Sequence, residues 1–417
     1  MKDRDLYAQI LGIRKPWFVT DVQLALPEGE ILVRVELLSS ARLSCPSCEG
    51  QAKRYDCRRR RWRHLDTCQY RTILEAEVPR VECAEHGVQQ IPVPWAEPNS
   101  RFTALFEALV IDWLQEASLS AVARLLNLTW DQVNGVMERA VKRGLKRRQL
   151  EVPTRIGVDE TSFQKRHEYV TSVIDLVEPK VLYVADDRKS ESLSGFYEGL
   201  TEKQRARIKV VAMDMHRPYI NATREHVPDA DTKIAFDKFH VAQHLSNAVD
   251  DVRRQENREL LEAGDRTLVG TKYLWLKRKD VPPAETTRAG FMRMAKGLLR
   301  TARAWAIKEA AMLLWKYRVR GWAQRGWRSW ISWAMRSRLE PIRKVARTIR
   351  DHLPGIINAI VARATNAATE SINSRIQWLK KMACGFRNRE RFRNAIYFHL
   401  GGLDLYPDAC SLTHTNA

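Results

Sequence analysis

Two short apolar runs in the middle of the chain each stop on an acid: Ile156-Gly157-Val158-Asp159 and Val210-Val211-Ala212-Met213-Asp214. Runs of this length and β-branched content read as buried strands. A carboxylate at the edge of a core is costly without a partner. The fold must therefore bring a cation to these acids or use them as helix caps. Asp214 permits both readings, because Met215-His216-Arg217-Pro218 follows it as a loop entering a helix, where an acid can accept from free amides. Two such acids at the same end of two core strands restrict the topology further, since they repel unless a cation lies between them.

Around these runs, residues 154–240 alternate strand and helix. "TRIGVDETSF", "YVTSVIDLV" and "KVLYVADD" read as three strands, the last two joined by a tight Glu178-Pro179 turn. Helix "SLSGFYEGLTEKQRARI", strand "KVVAMD", short helix "RPYINATREHV" and strand "TKIAFDKF" follow. Hairpin strands succeeded by helix, strand, helix, strand give the order of an RNase H-like α/β fold, in which the first and fourth strands are neighbours. Such a fold takes a third acid from a later helix. "ARATNAATESINSRIQWLKK" offers Glu370, with Asn366 and Asn373 on the same helical face. Carboxylate oxygens suit magnesium, and three acids can hold two Mg²⁺ about 3.5–4 Å apart, with Mn²⁺ able to substitute. The alternative is that Glu370 is one exposed helix glutamate among many. Asp186 and Asp187, which also end a strand, read as turn and cap residues.

Residues 1–100 read differently, as a β-rich, loop-rich domain. "FVTDVQLAL" and "EILVRVELL" flank a Pro-Glu-Gly turn, the signature of a hairpin. Cys45-Pro-Ser-Cys48 and Cys83-Ala-Glu-His86 share one internal spacing, which lets both side chains of a tight turn reach one cation, and Cys and His are the ligands zinc prefers. One structural Zn²⁺ on Cys45, Cys48, Cys83 and His86 is expected, with Cys57 and Cys68 competing for ligand roles. The 34 residues between the pairs form an enlarged hairpin arm carrying Arg58, Arg59, Arg60, Arg61, Trp62 and Arg63. These residues either contact DNA phosphates or make a charged face in solvent.

A helical pattern begins near Arg101. In "SLSAVARLLNLTWDQVNGVMERA", Val122, Leu125 and Leu126 make one apolar face, Asn127-Leu128-Thr129 a turn with Thr129 as N-cap, and Val133 and Val136 a second helix. This is a helix-turn-helix pattern, with Thr129, Trp130, Asp131, Gln132 and Asn134 at the start of the recognition helix and "RAVKRGLKRR" behind it for phosphate contacts. The charge balance agrees. Seventy Lys+Arg against 50 Asp+Glu leave +20 at pH 7, a field that attracts polyanions. The start lacks the apolar core of a signal peptide, and no run is long enough to span a membrane. The expectation is a cytoplasmic, nucleoid-associated protein.

Taken together, "CPSC…CAEHG", the helix-turn-helix at 118–140, "GVDE", "AMDMHRPY" and "ATNAATESINSRIQWLKKMACGFRNRERF" resemble the DDE transposases of bacterial insertion sequences, specifically the ISL3 type, over residues 40–400. The resemblance implies that Asp159, Asp214 and Glu370 form the catalytic triad. Asp237 and His240 in "DKFH" match a D-x-x-H motif near such active sites. Like Asn366 and Asn373, they are expected to contact the scissile strand or support the acids. His216 and Arg217 either touch the scissile phosphate or start the next helix.

The implied organisation is a zinc-finger domain (1–100), a helix-turn-helix domain (101–150), a core in two parts (151–240 and 366–402), an all-helical insertion (241–365) and a fraying tail (403–417). The insertion holds seven of the 13 tryptophans, most expected in its core, with Trp327, Trp330 and Trp333 as one stripe. The implied activity is Mg²⁺-dependent cleavage and strand transfer at the element's terminal inverted repeats and at target DNA. The protein is expected to act as a homodimer or larger homo-oligomer, since two ends must be held together. The alternatives are a DNA-binding regulator with inert acids, or a nuclease without strand transfer.

Overall fold

The computed structural model describes residues 3–149, 151, 153–164, 168–276, 294–295, 297, 299–364 and 367–408. It is a mixed α/β protein of two compact units, residues 1–149 with 397–417, and residues 150–396. No helix among the described residues is long and apolar enough to cross a membrane.

The first unit begins with helix α1 (Asp3–Ile10) and a five-stranded sheet: β1 (Trp17–Ala25), β2 (Glu30–Leu37), β3 (Lys53–Arg63), β4 (Arg71–Cys83) and β5 (Gly87–Gln90), ordered β1-β2-β4-β3 with β5 on β4. β1 and β2 form the expected antiparallel hairpin. Its turn closes at Gly29, whose φ of +64° suits glycine. β4 buries Thr72, Leu74, Ala76 and Val78, the period-two pattern of a strand with one face in a core. Trp62 is not on the surface. It is 2% exposed and stacks edge-on against Trp95, which does the same with Trp17. The alternation of β3 that points its neighbouring arginines outward puts this one apolar side chain inward, and its ring is unavailable to DNA.

β3 and β4 pair antiparallel as the expected arm. The arm's arginines are largely neutralised across it: Arg59 pairs with Glu77 at 3.0 Å and Arg61 with Glu75 at 3.0 Å. Arg63 pairs with Asp66 at 2.6 Å, and Arg60 donates to Gln90 at 3.2 Å. Arg58 is exposed. Most of the basic run is thus a charged sheet face with cross-strand partners.

Helices α2 (Ala104–Glu116), α3 (Leu119–Leu125) and α4 (Trp130–Arg147) follow. Thr103 caps α2 and Ser118 caps α3. Thr129 caps α4 in a reciprocal box with Gln132, as the sequence indicates. Asn127 adopts φ +50° in the turn. Val122 and Val133 are buried, but Leu125 is 59% exposed, because the short α3 turns it away from α2 and α4. The segment after Gly402, expected to fray, is instead packed as far as Asp408. Leu405 is 3% exposed, and its carbonyl accepts from Arg143 at 2.8 and 3.0 Å. Gly144 admits Leu403 where a Cβ would come within 2.7 Å of it.

His64, 4% exposed, lies 2.8 Å from the Thr103 hydroxyl and joins the sheet to α2. Burial, aided by the charge of Arg63, holds its imidazole at about 4 against an ordinary 6.5. The unfolded chain therefore takes up a proton that the folded unit refuses. Stability is fully present above pH 6.5 and is lost as pH falls toward 4, by about 3 kcal/mol. Urea melts from pH 7 to 4.5 should show this slope and should show it flattened in His64→Gln. An equal slope in both proteins would remove His64 as its source.

The second unit holds β6 (Arg155–Gln164), β7 (Glu168–Asp175), β8 (Lys180–Asp186), α5 (Ser190–Glu198), α6 (Glu202–Arg207), β9 (Val210–Met213), α7 (Arg217–His226), α8 (Ala230–Lys233) and β10 (Ile234–Phe236). The sheet order is β10-β9-β6-β7-β8, with β6–β7 and β7–β8 antiparallel and β6–β9 and β9–β10 parallel. Helices α9 (Lys238–Glu262), α10 (Lys272–Leu276), α11 (Arg300–Leu314), α12 (Arg320–Arg336), α13 (Glu340–Asp351) and α14 (Leu353–Ala362) follow, over the stretch expected to be an all-helical insertion. α15 (Ala367–Met382) and α16 (Arg389–Leu400) close the chain.

One hydrophobic core runs through the sheet and these helices, from Ile156 and Val211 to Trp275, Trp305, Trp327 and Trp330. Trp327 and Trp330 stack edge-on at 5.5 Å. Trp333 leaves the expected stripe and is 41% exposed, because six residues turn an α-helix through well over one and a half turns.

Candidate active site and metal centre

The parallel registers fix the acids. β6 and β9 pair last at Gly157↔Ala212. Asp159 and Asp214 thus each lie two residues beyond, at the carboxyl ends of neighbouring parallel ladders. β9 and β10 pair last at Met213↔Phe236, and Asp237 follows immediately, its amide donating to the Met213 carbonyl at 3.3 Å. Asp214 and Asp237 thus stand at strand ends, where ligand sites of open α/β sheets form, whereas β6 runs on to Gln164 and Asp159 lies within it, opposite Ser172 of β7.

Asp214 is not a helix cap. The N-cap of α7 is His216, and the Asp214 carboxylate accepts from the Met215 amide at 2.6 Å. His240, in the first turn of α9, brings Nδ1 to 3.7 Å from Asp214 Oδ2. Asp159 accepts from the Glu160 amide at 2.8 Å and from Asn373 Nδ2 at 2.7 Å. Burial pushes its carboxyl up to about 6, against the Glu160 amide, the His240 ring and Asn373, each of which favours the charged form.

Helix α15 reaches β6 because Gly157 has no side chain: a Cβ there would sit 2.8 Å from Thr369 Oγ1 and 2.9 Å from Leu176. Lys380 anchors the other end by donating to the Ser162 carbonyl at 2.5 Å. Asn373 accepts from Thr161 Oγ1 at 2.9 Å, which fixes its amide with Nδ2 toward Asp159. Glu370, one turn earlier, is exposed and lines a cavity shared with Asp237.

The structure brings Asp159, Asp214, Asp237, His240 and Asn373 to one end of the sheet. It does not gather the three acids Asp159, Asp214 and Glu370 within 4.8 Å of one another among the described residues; like charges without a cation repel. No ion pair among the described residues joins any of these three to lysine or arginine, and His240 is the one basic partner found, at Asp214. Hard oxygen donors without resident cations are a donor set that fits a divalent ion such as Mg²⁺.

His216 Nδ1 is buried without a partner, and its ring meets Tyr219 edge-on at 4.8 Å. Arg217 is exposed at the start of α7. Asn366 lies outside the described residues. Asp186 and Asp187 do not cap α5, whose N-cap is Lys189. They pair instead with Arg393 at 3.9 Å and Arg389 at 3.3 Å. Sequence reasoning missed Thr161, Thr171 and Tyr219. The Tyr219 hydroxyl is 2.7 Å from Thr171 Oγ1 and lies in the field of Asp159 and Glu160. The short spacing of Tyr219 from Asp214 across a helix start was the available signal.

The second centre is closed. Cys45, Cys48, Cys83 and His86 bring their ligand atoms within 4.8 Å of one another. Cys45 Sγ and His86 Nδ1 are 3.9 Å apart, the sulfurs of Cys48 and Cys83 3.8 Å, and Cys83 and His86 3.6 Å. A tetrahedron with bonds of about 2.3 Å has edges of about 3.8 Å, so these four fit Zn²⁺. Cys57 and Cys68 are exposed free thiols outside the group.

At the helix-turn-helix, Thr129 and Gln132 are occupied in the capping box. Asn134 is 7% exposed and donates to Glu138 at 2.7 Å, which withdraws it from the surface, whereas Asp131 is exposed. Of the basic residues behind them, Arg139 bonds Glu107, Arg143 the Leu405 carbonyl and Arg147 Asp404. Lys142 and Lys146 remain exposed. Buried Glu107 and the C-terminal segment, both distant in sequence, take up the arginines.

Comparisons with known proteins agree with this division. Residues 156–396 match a family model described as a transposase, DDE type, ISL3. Residues 91–141 match the helix-turn-helix domain of transposase family ISL3. Residues 41–86 match the zinc-finger of transposase IS204/IS1001/IS1096/IS1165. The chain is 28% identical over 421 residues to the transposase for insertion sequence element IS1557 of Mycobacterium tuberculosis, covering 93% of each. It is 26% identical over 354 residues to the transposase for insertion sequence element IS1001 of Bordetella parapertussis, covering 84% of this chain and 86% of that one.

Proposed function

Because the chain belongs to the ISL3 family of DDE transposases, we propose that Asp159, Asp214 and Glu370 are the catalytic acids of an RNase H-like core that cuts and joins the ends of its own insertion sequence. It is a DNA-binding transposase carrying a zinc-ribbon and a helix-turn-helix domain. The observation that carries the site assignment is the equal offset of Asp159 and Asp214 beyond the β6–β9 pairing. The sheet order, with three antiparallel strands, a fourth parallel to the first and a fifth parallel to the fourth, supports the RNase H-like reading.

The domains follow as 1–100 (zinc finger), 101–150 (helix-turn-helix), 151–240 and 366–402 (core), 241–365 (insertion) and 403–417 (tail). Arg58, Trp130, Asp131, Lys142 and Lys146 face the terminal inverted repeats, and two copies of the chain hold two ends. Asp159, Asp214 and Glu370 would hold two Mg²⁺, which when bound supply activation of the attacking oxygen and neutralisation of charge developing at phosphorus. The protein's own groups position these acids. Asn373 holds one Asp159 oxygen and leaves the other to the Glu160 amide. His240 stands beside Asp214, where with His216 and Arg217 it orients the scissile strand. Water attacks a phosphodiester and frees a 3′-OH, and that hydroxyl attacks the phosphorus of a second phosphodiester in line, displacing its 3′-oxygen as the leaving group.

Purified protein with DNA carrying the repeats that flank its gene should, in Mg²⁺, yield nicked ends with a free 3′-OH and joined products. Binding without cleavage would instead favour a regulator, and cleavage without joining a nuclease. Asn373→Ala removes the amide that positions Asp159. Single-turnover cleavage should fall about 10- to 100-fold with end affinity unchanged. A loss of affinity matching the loss of rate would mean that Asn373 serves DNA binding instead.

A further inference from the structure

A cavity of about 960 Å³ lies beside Glu370 and Asp237, walled by the first turn of α9, the α11–α12 connection and the end of α14. Its composition does not follow from packing. Phe239 is 55% exposed there, although it is a large apolar side chain adjoining His240. Trp315 lines the same space, rests edge-on against Trp327 at 6.0 Å, and keeps its Nε1 buried without a hydrogen-bond partner. Lys316, Arg318 and Arg363 stand on the lining and take part in no ion pair among the described residues. Arg363 is held at φ +49°, the left-handed C-cap conformation that favours glycine, so a cation occupies a position where backbone energetics alone would select another residue.

Aromatic side chains and unpaired cations beside a catalytic acid match one chemical class, the nucleotide. In a duplex each base face is covered by its neighbours. An aromatic side chain can therefore stack only on a base that has left the helix. We propose that this cavity receives one nucleotide unstacked from the DNA end next to the scissile phosphate. Phe239 or Trp315 lies against the base, and Lys316, Arg318 and Arg363 hold the flanking phosphates. The insertion then serves as the device that fixes the cut position, through a captured base one nucleotide from the acids. This rests on the transposase reading above, and it names what the insertion binds.

The test places 2-aminopurine at each position flanking the cut in turn and follows its fluorescence when the full-length protein binds in the absence of divalent metal. One position should brighten severalfold in the wild type, and the rise should drop about tenfold in occupancy for Phe239→Ala and for Arg363→Gly. Arg363→Gly removes the cation while relieving the left-handed backbone, so misfolding does not explain its loss. Omitting the base at the responding position, which lowers the cost of extrusion, should restore cleavage by Phe239→Ala toward that of the wild type. Wild-type cleavage of the unmodified end is run alongside and tests the transposase reading separately. If that cleavage is intact and no position responds, or both variants respond like the wild type, the pocket assignment is overturned.

Discussion

Asp159→Asn is expected to lower end cleavage by on the order of 10³-fold or more, while affinity for the DNA end stays within a few-fold. The substitution keeps the shape and removes the negative charge, and like protonation of the acid it leaves one good acceptor oxygen where the carboxylate has two, for the Glu160 amide and Asn373. It also makes a second, opposite change. The Asp159 carboxyl is raised to about 6 from an ordinary 3.8, so its stability contribution is fully present below pH 4 and is lost as pH rises through 6. At pH 7 the charged form costs about 2 kcal/mol, allowing for its residual contact with solvent. The metal-free variant should therefore melt higher than the wild type at pH 7 and equally at pH 4. Adding Mg²⁺ should narrow the gap by stabilising the wild type alone. A merely structural acid would lose stability on substitution and leave cleavage proportionate to folded protein. Asp214→Asn and Glu370→Gln should match the loss of cleavage, and a Glu370→Gln enzyme cutting at the wild-type rate would remove that residue from the triad.

What the sequence reveals divides along physical lines. The strand order of the second unit was legible because turn residues such as Glu178-Pro179 and apolar runs such as Val210–Met213 carry local signals. The Cys/His group was legible because two identical spacings report two tight turns. Trp62, Leu125, Asn134 and Trp333 were misplaced because periodicity reports an alternation without saying which neighbour covers each face. Trp62 needed Trp95 and Trp17 to bury it.

The arginines of the arm and of α4 depended on partners remote in sequence. Glu75 and Glu77 meet Arg61 and Arg59 only in the β3–β4 register, and Arg143 meets Leu405 across most of the chain. The supporting groups of the acids were invisible for the same reason. Thr161 matters only because Gly157 admits α15, which puts Asn373 within reach of both Thr161 and Asp159. The acids themselves announced their place through the ends of two runs, whereas the side chains that aim them did not.

Loss of zinc should have the largest effect on DNA recognition. The backbone hydrogen bonds of the segment from Leu43 to Ala52 close it on itself, the Cys45 amide to the Gly50 carbonyl at 2.8 Å and the Ala52 amide to the Leu43 carbonyl at 3.0 Å, and Ser47 Oγ donates to Gln89 of β5 at 2.9 Å. Cys45, 1% exposed, is the ligand that ties this turn inward, and the second pair lies across the β4–β5 turn, where Cys83 pairs with Gly87. Without metal, three thiols and an imidazole face one another with no apolar packing among them, and the long arm between the pairs loses its closure. Structural zinc of this type contributes about 10–16 kcal/mol of apparent binding energy near pH 7, more than the stability of a typical domain. Purified protein should hold one Zn²⁺ per chain by elemental analysis, and Cys45→Ser about a tenth of that. End binding by Cys45→Ser should weaken at least about 100-fold, and the wild type should behave alike after exhaustive chelation and recover when zinc is restored. Cys57→Ser and Cys68→Ser should keep both zinc and affinity, since their thiols stand outside the group. Full zinc content and unchanged affinity in Cys45→Ser would mean that the four side chains hold no metal that the fold requires.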